Sequence, residues 1–217
     1  MTTLGEPVLF DDLDGEGRRA IVWRLGEPML SIASAPLGGG IGLRDWIVNV
    51  QVDEGYARTD LEDHLQTIAS QLGCAGAGIG FLTAADVARW TSGEDGGVRA
   101  YATVGLREPM WAAGAAEAVA RPAAGTINIV VGVPARLSDA ALVNAVTTTT
   151  EAKAQALADA GVPGTGTASD AVCVLCGSQG VGERFAGPRS TFGACIARAV
   201  HAAVAQGVRA WREQPAP

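Results

Sequence analysis

Two segments of the chain follow the same order of features, and this repeat restricts the fold more than anything else in the sequence. The first segment runs from V-N-V-Q-V at 48–52, through a helix and a Gly-rich connector, to T-A-A-D-V at 83–87. The second runs from I-N-I-V-V at 127–131, through another helix and connector, to T-A-S-D-A at 167–171. Self-similarity of this kind predicts a duplicated β-α-β unit and a pseudo-two-fold axis.

The repeat makes Asn49 equivalent to Asn128, and Asp86 equivalent to Asp170. A chance match is the alternative, because short Gly, Ala, Thr and Asp patterns recur easily. Since 217 residues hold one substantial core and no linker divides them, we expect residues 1–217 to form a single domain. The predicted fold class is α+β, with a mixed β-sheet covered by the two repeat helices and a C-terminal helix.

Composition and charge exclude several function classes. The chain is 48% hydrophobic and 18% charged, which is typical of a globular protein. A formal charge of −7 and the lack of a basic run disfavour a nucleic-acid partner. No apolar run is long enough to cross a bilayer, and residues 1–14 lack the features of a signal peptide. We therefore expect a cytoplasmic protein without a membrane partner; a homo-oligomer stays open.

The cysteines and histidines do not indicate a metal site. Only Cys173 and Cys176 have a C-x-x-C spacing, and in a strand their side chains point to opposite faces. Buried, reduced thiols are therefore expected. Only two histidines are present, and His64 fits the edge of a helix better than the role of a catalytic base. No metal is expected.

The sequence from Thr147 to Asp170 concentrates reactive side chains. It contains most of a helix predicted to begin near Ser138 and to stop at Gly161. A helical wheel assigns an apolar stripe, with Lys153 near it, to Val143, Val146, Thr150 and Leu157, and the opposite face to Asn144, Thr147, Glu151 and Gln155.

Four further local features are predicted. Thr59 and Glu62 have the spacing of a capping box at the start of the first repeat helix. Residues 91–97 are expected to form a loop, and the Ala-rich residues 112–124 a mobile or partly helical surface segment. The Gly-rich residues 35–42 form either a plain turn or a place where a ligand approaches the backbone closely.

The residues leave carboxylate or lysine chemistry as the candidate. There is no G-x-S-x-G elbow, and neither histidine lies near a nucleophile in sequence. The candidates for acid–base chemistry are Glu151, Lys153 and Asp170, with Thr hydroxyls or Gly-loop amides as oxyanion donors. Asp170 lies at a predicted loop-to-strand junction, where an aspartate either carries chemistry or caps a turn.

Seven motifs in order resemble one known family. They are S-A-P-L-G-G-G (34–40), V-N-V-Q-V (48–52), F-L-T-A-A (81–85), A-G-T-I-N-I (124–129), T-E-A-K (150–153), G-T-G-T-A-S-D (164–170) and A-G-P-R-S-x-x-G (186–193). Together, over about residues 30–205, they resemble the adenosylcobinamide amidohydrolase family, CbiZ. The resemblance implies hydrolysis of the amide that joins the aminopropanol arm to the corrin ring of adenosylcobinamide. The product would be adenosylcobyric acid for corrinoid salvage, formed without a separate organic cofactor.

The resemblance also implies roles for individual residues. Glu151 or Asp170 would activate water, and Lys153 or the Gly/Thr loops would stabilise the oxyanion. The positions expected to contact the corrinoid are Ser34, Gly38, Gly39, Gly40, Asn49, Thr83, Thr126, Asn128, Thr147 and Thr167. Residues 105–112 depart from the archaeal pattern, with Arg-Glu-Pro-Met at 107–110 in place of Asn-Ala. A corrinoid-binding protein without turnover and an amidohydrolase for a different amide are therefore the alternatives.

Overall fold

The computed structural model describes residues 4–13, 17–114 and 125–214. Within these residues it has eight strands and three α-helices, as the α+β class predicts. The strands are β1 (Val8–Phe10), β2 (Ala20–Ala33), β3 (Gly40–Gln51), β4 (Gly78–Thr83), β5 (Thr91–Asp95), β6 (Val98–Val104), β7 (Ile127–Val133) and β8 (Ala171–Cys176). The helices are α1 (Leu61–Gln71), α2 (Asp139–Asp159) and α3 (Thr191–Arg212).

The strands form one mixed sheet, which confirms that part of the prediction. Its order is β4-β3-β2-β8-β7-β6-β5, and β1 pairs with β2 at one side. The pairs β3–β4 and β7–β8 are parallel, and the other pairs are antiparallel. A parallel pair needs a crossover connection, which α1 and α2 supply in turn. The chain therefore contains two β-α-β units, while their origin by duplication stays a prediction.

The predicted equivalence of Asp86 and Asp170 is wrong. Asp86 follows β4 and caps a short 3-10 helix at Val87–Arg89, where its side chain accepts a hydrogen bond from Ala88 N. Asp170 instead precedes β8. The two T-A-x-D motifs therefore stand at opposite ends of their strands, because β4 begins within the Gly-rich connector that the sequence pattern treats as a loop.

The sheet has two halves, β1 to β4 and β5 to β8, which face each other across an apolar layer. The pairing of β2 with β3 is irregular between Arg24 and Met29. This irregularity allows the long strand β2 to pair with β3 of one half and with β8 of the other. The layer contains inward-facing side chains from both halves: Ile21, Trp23, Ile47, Ile79, Phe81, Tyr101, Val130, Cys173 and Leu175. Successive strand residues point to opposite faces, so the alternate residues of the same strands face outward.

Helices cover the outer faces of both halves. Leu65 and Ile68 of α1 pack with Trp46 and Val48 of β3 in one apolar cluster. On the other half, α2 and α3 share a larger cluster with the outward side chains of β6, β7 and β8. The result is a helix, half-sheet, half-sheet, helix arrangement, with three apolar clusters in the described residues.

The buried face of α2 is not the predicted one. Val143 is 54% exposed and Thr150 is also exposed, whereas Leu157 is buried as expected. The helix packs instead through mostly small residues and two threonines: Ala141, Leu142, Ala145, Thr148, Thr149, Ala152, Ala156 and Leu157. The wheel failed because alanines, which dominate this helix, carry little information about which face is apolar.

Other local predictions had mixed outcomes. The capping box is wrong, since α1 begins after Asp60, which makes no side-chain capping bond. Residues 91–97 are not a loop: residues 91–95 are β5, which forms a hairpin with β6 through Gly96 and Gly97 at positive φ. Residues 112–124 lie outside the described part of the chain from residue 115 onward.

The prediction for the paired cysteines is confirmed. Cys173 and Cys176 are free and buried, and they belong to different apolar clusters on the two faces of β8. Burial raises the pKa of the Cys173 thiol well above its ordinary value.

Replacing Gly78 in β4 tests the packing of the first half-sheet. A Cβ at this position would overlap the ring of Trp46, which is 2% exposed and cannot move aside. We expect Gly78→Ala to lower the free energy of unfolding by about 1–3 kcal/mol, measured by urea denaturation. Gly55→Ala is the matched control, because nothing lies within 4 Å of its added Cβ. Equal midpoints for the two variants would contradict this packing.

Candidate active site

A cleft of about 560 Å³ opens at the end of the molecule where the two half-sheets meet. Its walls come from the C-terminal ends of β3 and β4, from the N-terminal ends of β7 and β8, and from the residues after β2. The lining residues are Ser34, Pro36, Val52, Asp53, Glu54, Tyr56, Arg58, Leu61, Phe81, Leu82, Thr83, Ala84, Gly125, Thr126, Asn128, Ser169, Asp170 and Ala171. The volume is in the range of small-molecule sites.

An ion pair between Lys153 and Asp170 stands at one wall of this cleft. Asp170 lines the cleft, and Lys153 reaches it from the buried face of α2. The two side chains are only 9% and 10% exposed. This ion pair connects α2 to the wall of the cleft. The partner carboxylate explains why a lysine can lie on the buried face of the helix.

Asp170 accepts four hydrogen bonds. Its Oδ1 accepts from Ile127 N at 2.9 Å and from Thr167 Oγ1 at 2.5 Å. Its Oδ2 accepts from Thr167 N at 3.1 Å and from Lys153 Nζ. A carboxylate offers about four lone-pair directions, so this one is fully engaged and held in one orientation.

Glycine at position 166 makes this arrangement possible. A Cβ on Gly166 would overlap Asp170 Oδ2 and come 2.5 Å from Lys153 Nζ. The Gly166 backbone also joins the segment after β6, because Gly166 O accepts a hydrogen bond from Met110 N at 2.8 Å. The loop before β8 is therefore fixed on both sides.

Hydroxyl groups line the cleft beside Asp170. Thr126 Oγ1 and Ser169 Oγ lie 2.7 Å apart, and either can donate to the other. Ser34 Oγ accepts from Val172 N at 3.1 Å, and Thr83 Oγ1 accepts from Ala85 N at 3.0 Å. Each of these hydroxyls keeps hydrogen-bonding capacity for a ligand.

A buried amide network lies between the half-sheets at the floor of the cleft. Asn128 Nδ2 donates to Asn49 Oδ1 at 2.9 Å and to Leu82 O at 3.0 Å, and Asn49 Nδ2 donates to Thr103 Oγ1 at 3.0 Å. Asn128 Oδ1 is buried and has no hydrogen-bond partner among the described residues. An unsatisfied buried acceptor costs about 1–3 kcal/mol.

The segment after β3 supplies polar residues that the sequence reasoning missed. Asp53 and Glu54 line the cleft, and Glu54 pairs with Arg107. Tyr56 lines it too, with its hydroxyl 2.7 Å from His64 Nδ1. In the sequence, the only indication of these residues was a polar run directly after a strand, and such runs are common in surface loops.

Burial dominates the electrostatics of the Tyr56–His64 pair. Burial raises the pKa of the Tyr56 phenol, and burial together with the nearby Arg58 charge lowers the pKa of His64. At neutral pH both rings are therefore uncharged. His64 lies on the buried face of α1, as expected for a histidine at a helix edge.

The structure brings some of the predicted site residues to the cleft and leaves others elsewhere. Ser34, Thr83, Thr126, Asn128 and Asp170 line it. Directly behind these residues are Lys153, Thr167 and Asn49, through the hydrogen bonds described above.

The other predicted site residues do not line the cleft. Glu151 and Thr147 are on the exposed side of α2, and Thr147 Oγ1 donates to Val143 O. The glycines at 38–40 precede and begin β3; a Cβ on Gly38 would overlap the Gly78 carbonyl oxygen, and Arg44 donates to Gly38 O at 2.8 Å. Gly38 therefore permits close backbone packing at β4, while a Cβ on Gly39 would approach the Ala35 carbonyl oxygen.

These features together define a class of protein. A cleft between two half-sheets, lined by hydroxyl, amide and carboxylate groups, is suited to bind a polar small molecule and to act on it. Among the residues at 4–13, 17–114 and 125–214, no group of three His, Cys, Asp or Glu side chains is placed to hold a metal ion. No helix in those ranges is long and apolar enough to cross a membrane.

Comparison with known proteins places the chain in a family. The model of the CbiZ family, described as adenosylcobinamide amidohydrolase, matches residues 9–216. An adenosylcobinamide amidohydrolase from Methanosarcina mazei is 33% identical over 184 residues, which are 81% of this chain and 88% of that protein. The chain belongs to the adenosylcobinamide amidohydrolase family, as the sequence motifs predict.

Two further similarities were found. An adenosylcobinamide amidohydrolase from Halobacterium salinarum is 39% identical over 119 residues, which are 50% of this chain and 51% of that protein. A solved structure of a protein from Pyrococcus horikoshii OT3 aligns with 96% of this chain and 82% of its own, with a TM-score of 0.42 and 16% identity.

Removing the lysine tests the ion pair. Lys153→Met leaves the buried Asp170 carboxylate without its cation, so we expect the free energy of unfolding to fall by about 3–5 kcal/mol in urea denaturation. The double variant Lys153→Met/Asp170→Asn should recover part of this loss, because the uncompensated charge is gone. Glu151→Gln, on the exposed side of the same helix, serves as the control and should change stability by less than about 0.5 kcal/mol. A single Lys153→Met variant as stable as this control would refute the buried pair.

Proposed function

We propose that this protein hydrolyses the amide bond between the aminopropanol arm and the corrin ring of adenosylcobinamide, in the cleft between the half-sheets. The products are adenosylcobyric acid and 1-amino-2-propanol, and the role is corrinoid salvage for cobalamin synthesis. The observation that carries this proposal is membership of the adenosylcobinamide amidohydrolase family over residues 9–216. The motifs of that resemblance include six polar residues of the cleft wall: Ser34, Thr83, Thr126, Asn128, Ser169 and Asp170.

The shape of the cleft supports the proposal. A corrinoid is larger than about 560 Å³, so it enters with the aminopropanol arm while the rest of the ring stays at the open mouth. Amide and hydroxyl groups on the walls suit a ligand whose periphery carries carboxamides. Hydrolysis consumes water and needs no separate organic cofactor. The cytoplasmic location and the oligomeric state stay predictions.

We assign to Asp170 the role of the general base that activates the attacking water. Of the carboxylates at 151 and 170 that the sequence suggests, only Asp170 lines the cleft. Its Oδ1 can exchange the Thr167 hydroxyl for a water, because a hydroxyl group rotates freely whereas the two backbone amides and the buried Lys153 are fixed. Asp170 then takes the proton of the water and passes it to the leaving amine.

The neighbouring hydroxyls complete the chemistry. Thr126 and Ser169 lie beside Asp170. One hydroxyl of this pair donates to the other, and the second can donate to the oxygen of the amide as negative charge develops on it. Lys153 is a positioning residue in this scheme, since it holds Asp170 from behind and does not line the cleft.

One observation favours a second candidate, an amidohydrolase that acts on a different amide. Arg107 belongs to the segment at 105–112 that departs from the archaeal pattern, and it pairs with Glu54 of the cleft wall. A changed residue at the cleft mouth changes which side groups of a ligand fit.

The test is turnover of adenosylcobinamide followed by liquid chromatography and mass spectrometry. The wild-type protein should release adenosylcobyric acid and 1-amino-2-propanol in equal amounts. Asp170→Asn should lower kcat/KM by about 100-fold or more, the usual contribution of a positioned general base. Glu151→Gln should stay within about twofold of the wild type, because Glu151 is exposed on the other side of α2.

Each contrary result has a distinct meaning. No product from the wild type, with the corrinoid still bound, would indicate a binding protein. Product from a related corrinoid amide alone would favour the second candidate. A fully active and folded Asp170→Asn variant would remove Asp170 from the mechanism.

A further inference from the structure

The amide of Asn128 has one orientation that the structure enforces. Its Nδ2 lies 3.0 Å from Leu82 O, a backbone carbonyl that can only accept a hydrogen bond. The second proton of Nδ2 goes to Asn49 Oδ1 at 2.9 Å. A flip of the Asn128 amide would place its Oδ1 against Leu82 O and Asn49 Oδ1, which are both acceptors. The flipped orientation is therefore excluded.

The oxygen of this amide has no donor among the described residues. Asn128 lines the floor of the cleft and is 2% exposed, so bulk water does not satisfy Oδ1. Buried polar atoms in native proteins almost always have partners, and an exception at a cleft calls for a donor from outside the chain. A ligand that brings an N–H group to the floor of the cleft supplies it, with a small shift of the residues that cover the oxygen.

We propose that Asn128 Oδ1 accepts a hydrogen bond from the N–H of the amide that is to be cleaved, and that this bond makes the site select amides over carboxylic acids. The inference rests on the proposed function, since it takes the cleaved amide to lie in this cleft. Asn128 is then a specificity-determining residue that touches the substrate. Asn49 is a positioning residue, because it holds the Asn128 amide and does not line the cleft.

The geometry has a consequence for product release. Hydrolysis replaces the N–H of the amide by a carboxylate oxygen, and a carboxylate has no proton to donate to Asn128 Oδ1. Two acceptors then face each other in a buried place, which weakens binding of the acid. Asn128 therefore favours binding of the amide substrate and release of the acid product.

The test compares the binding of adenosylcobinamide with that of its hydrolysis product, which carries a carboxylate in place of the aminopropanol amide. Equilibrium dialysis of adenosylcobinamide and of adenosylcobyric acid gives the ratio of their dissociation constants. The measurement uses the Asp170→Asn background, in which the amide stays intact. The Asp170→Asn protein should bind adenosylcobinamide, the amide, at least about tenfold more tightly than adenosylcobyric acid, the acid. Asn128→Ala should weaken binding of the amide by about 10- to 100-fold and leave the acid within about threefold, so that the preference disappears.

Thr103→Val is the matched control. It removes the bond from Asn49 Nδ2 to Thr103 Oγ1 in the same network and leaves the Asn128 amide with both of its partners. It should therefore lower stability in urea while keeping the preference for the amide. If Asn128→Ala does not fold, Asn128→Ser supplies the same comparison, because its shorter side chain does not reach the position of Oδ1.

The outcomes separate this inference from the proposed function. Loss of preference in Asn128→Ala, but not in Thr103→Val, supports the inference. Equal weakening of both corrinoids, or an unchanged ratio, overturns it even if the wild type turns over adenosylcobinamide. A protein that prefers the amide through Asn128, while its wild type forms no product, keeps Asn128 as the residue that recognises the aminopropanol amide and refutes the hydrolysis. A protein that binds neither corrinoid overturns both.

Discussion

The ion pair between Lys153 and Asp170 is the contact on which the cleft depends. Through it, α2 is joined to the loop before β8, and the same carboxylate accepts a hydrogen bond from the first residue of β7. A buried pair of this kind contributes less to stability than its Coulomb energy suggests, because both charges lose their hydration. What it contributes is position: four donors hold one carboxylate at the cleft wall.

The rest of the fold explains why polar groups can gather at this place. Two half-sheets enclose an apolar layer that is filled by large side chains such as Trp23 and Phe81. Near the cleft the same layer changes to amides and a hydroxyl, with Asn49, Asn128 and Thr103 joined by hydrogen bonds. In a low-dielectric interior such a network is stable only when its members are satisfied. The one unsatisfied atom, among the described residues of this network, lies at the cleft floor.

The sequence predicted the local elements better than the way they assemble. The repeated strand–helix–strand order predicted the mixed sheet, and the helical wheel placed Lys153 near the apolar stripe of α2. The folding of the sheet onto itself depends on an irregularity in the pairing of β2, which no local pattern reveals. The repeat related Asn49 to Asn128 by symmetry, and in the structure the two side chains are in direct contact.

The position of some predicted site residues away from the cleft has physical causes as well. Glu151 and Lys153 are two residues apart on a helix, so one can be buried while the other is exposed. The glycines at 38–40 suggested a ligand loop, but at Gly38 close packing against Gly78 of β4 requires the same residue type. Asp53 was missed because an exposed loop carboxylate has no distinctive pattern before the fold is known.

The most direct test of the account is a crystal structure of the Asp170→Asn variant with adenosylcobinamide bound. We expect the aminopropanol amide to lie between position 170 and Asn128, near the hydroxyls of Thr126 and Ser169, with the corrin ring at the open mouth. A corrinoid bound elsewhere on the protein, or one whose aminopropanol arm points away from the cleft, would contradict it.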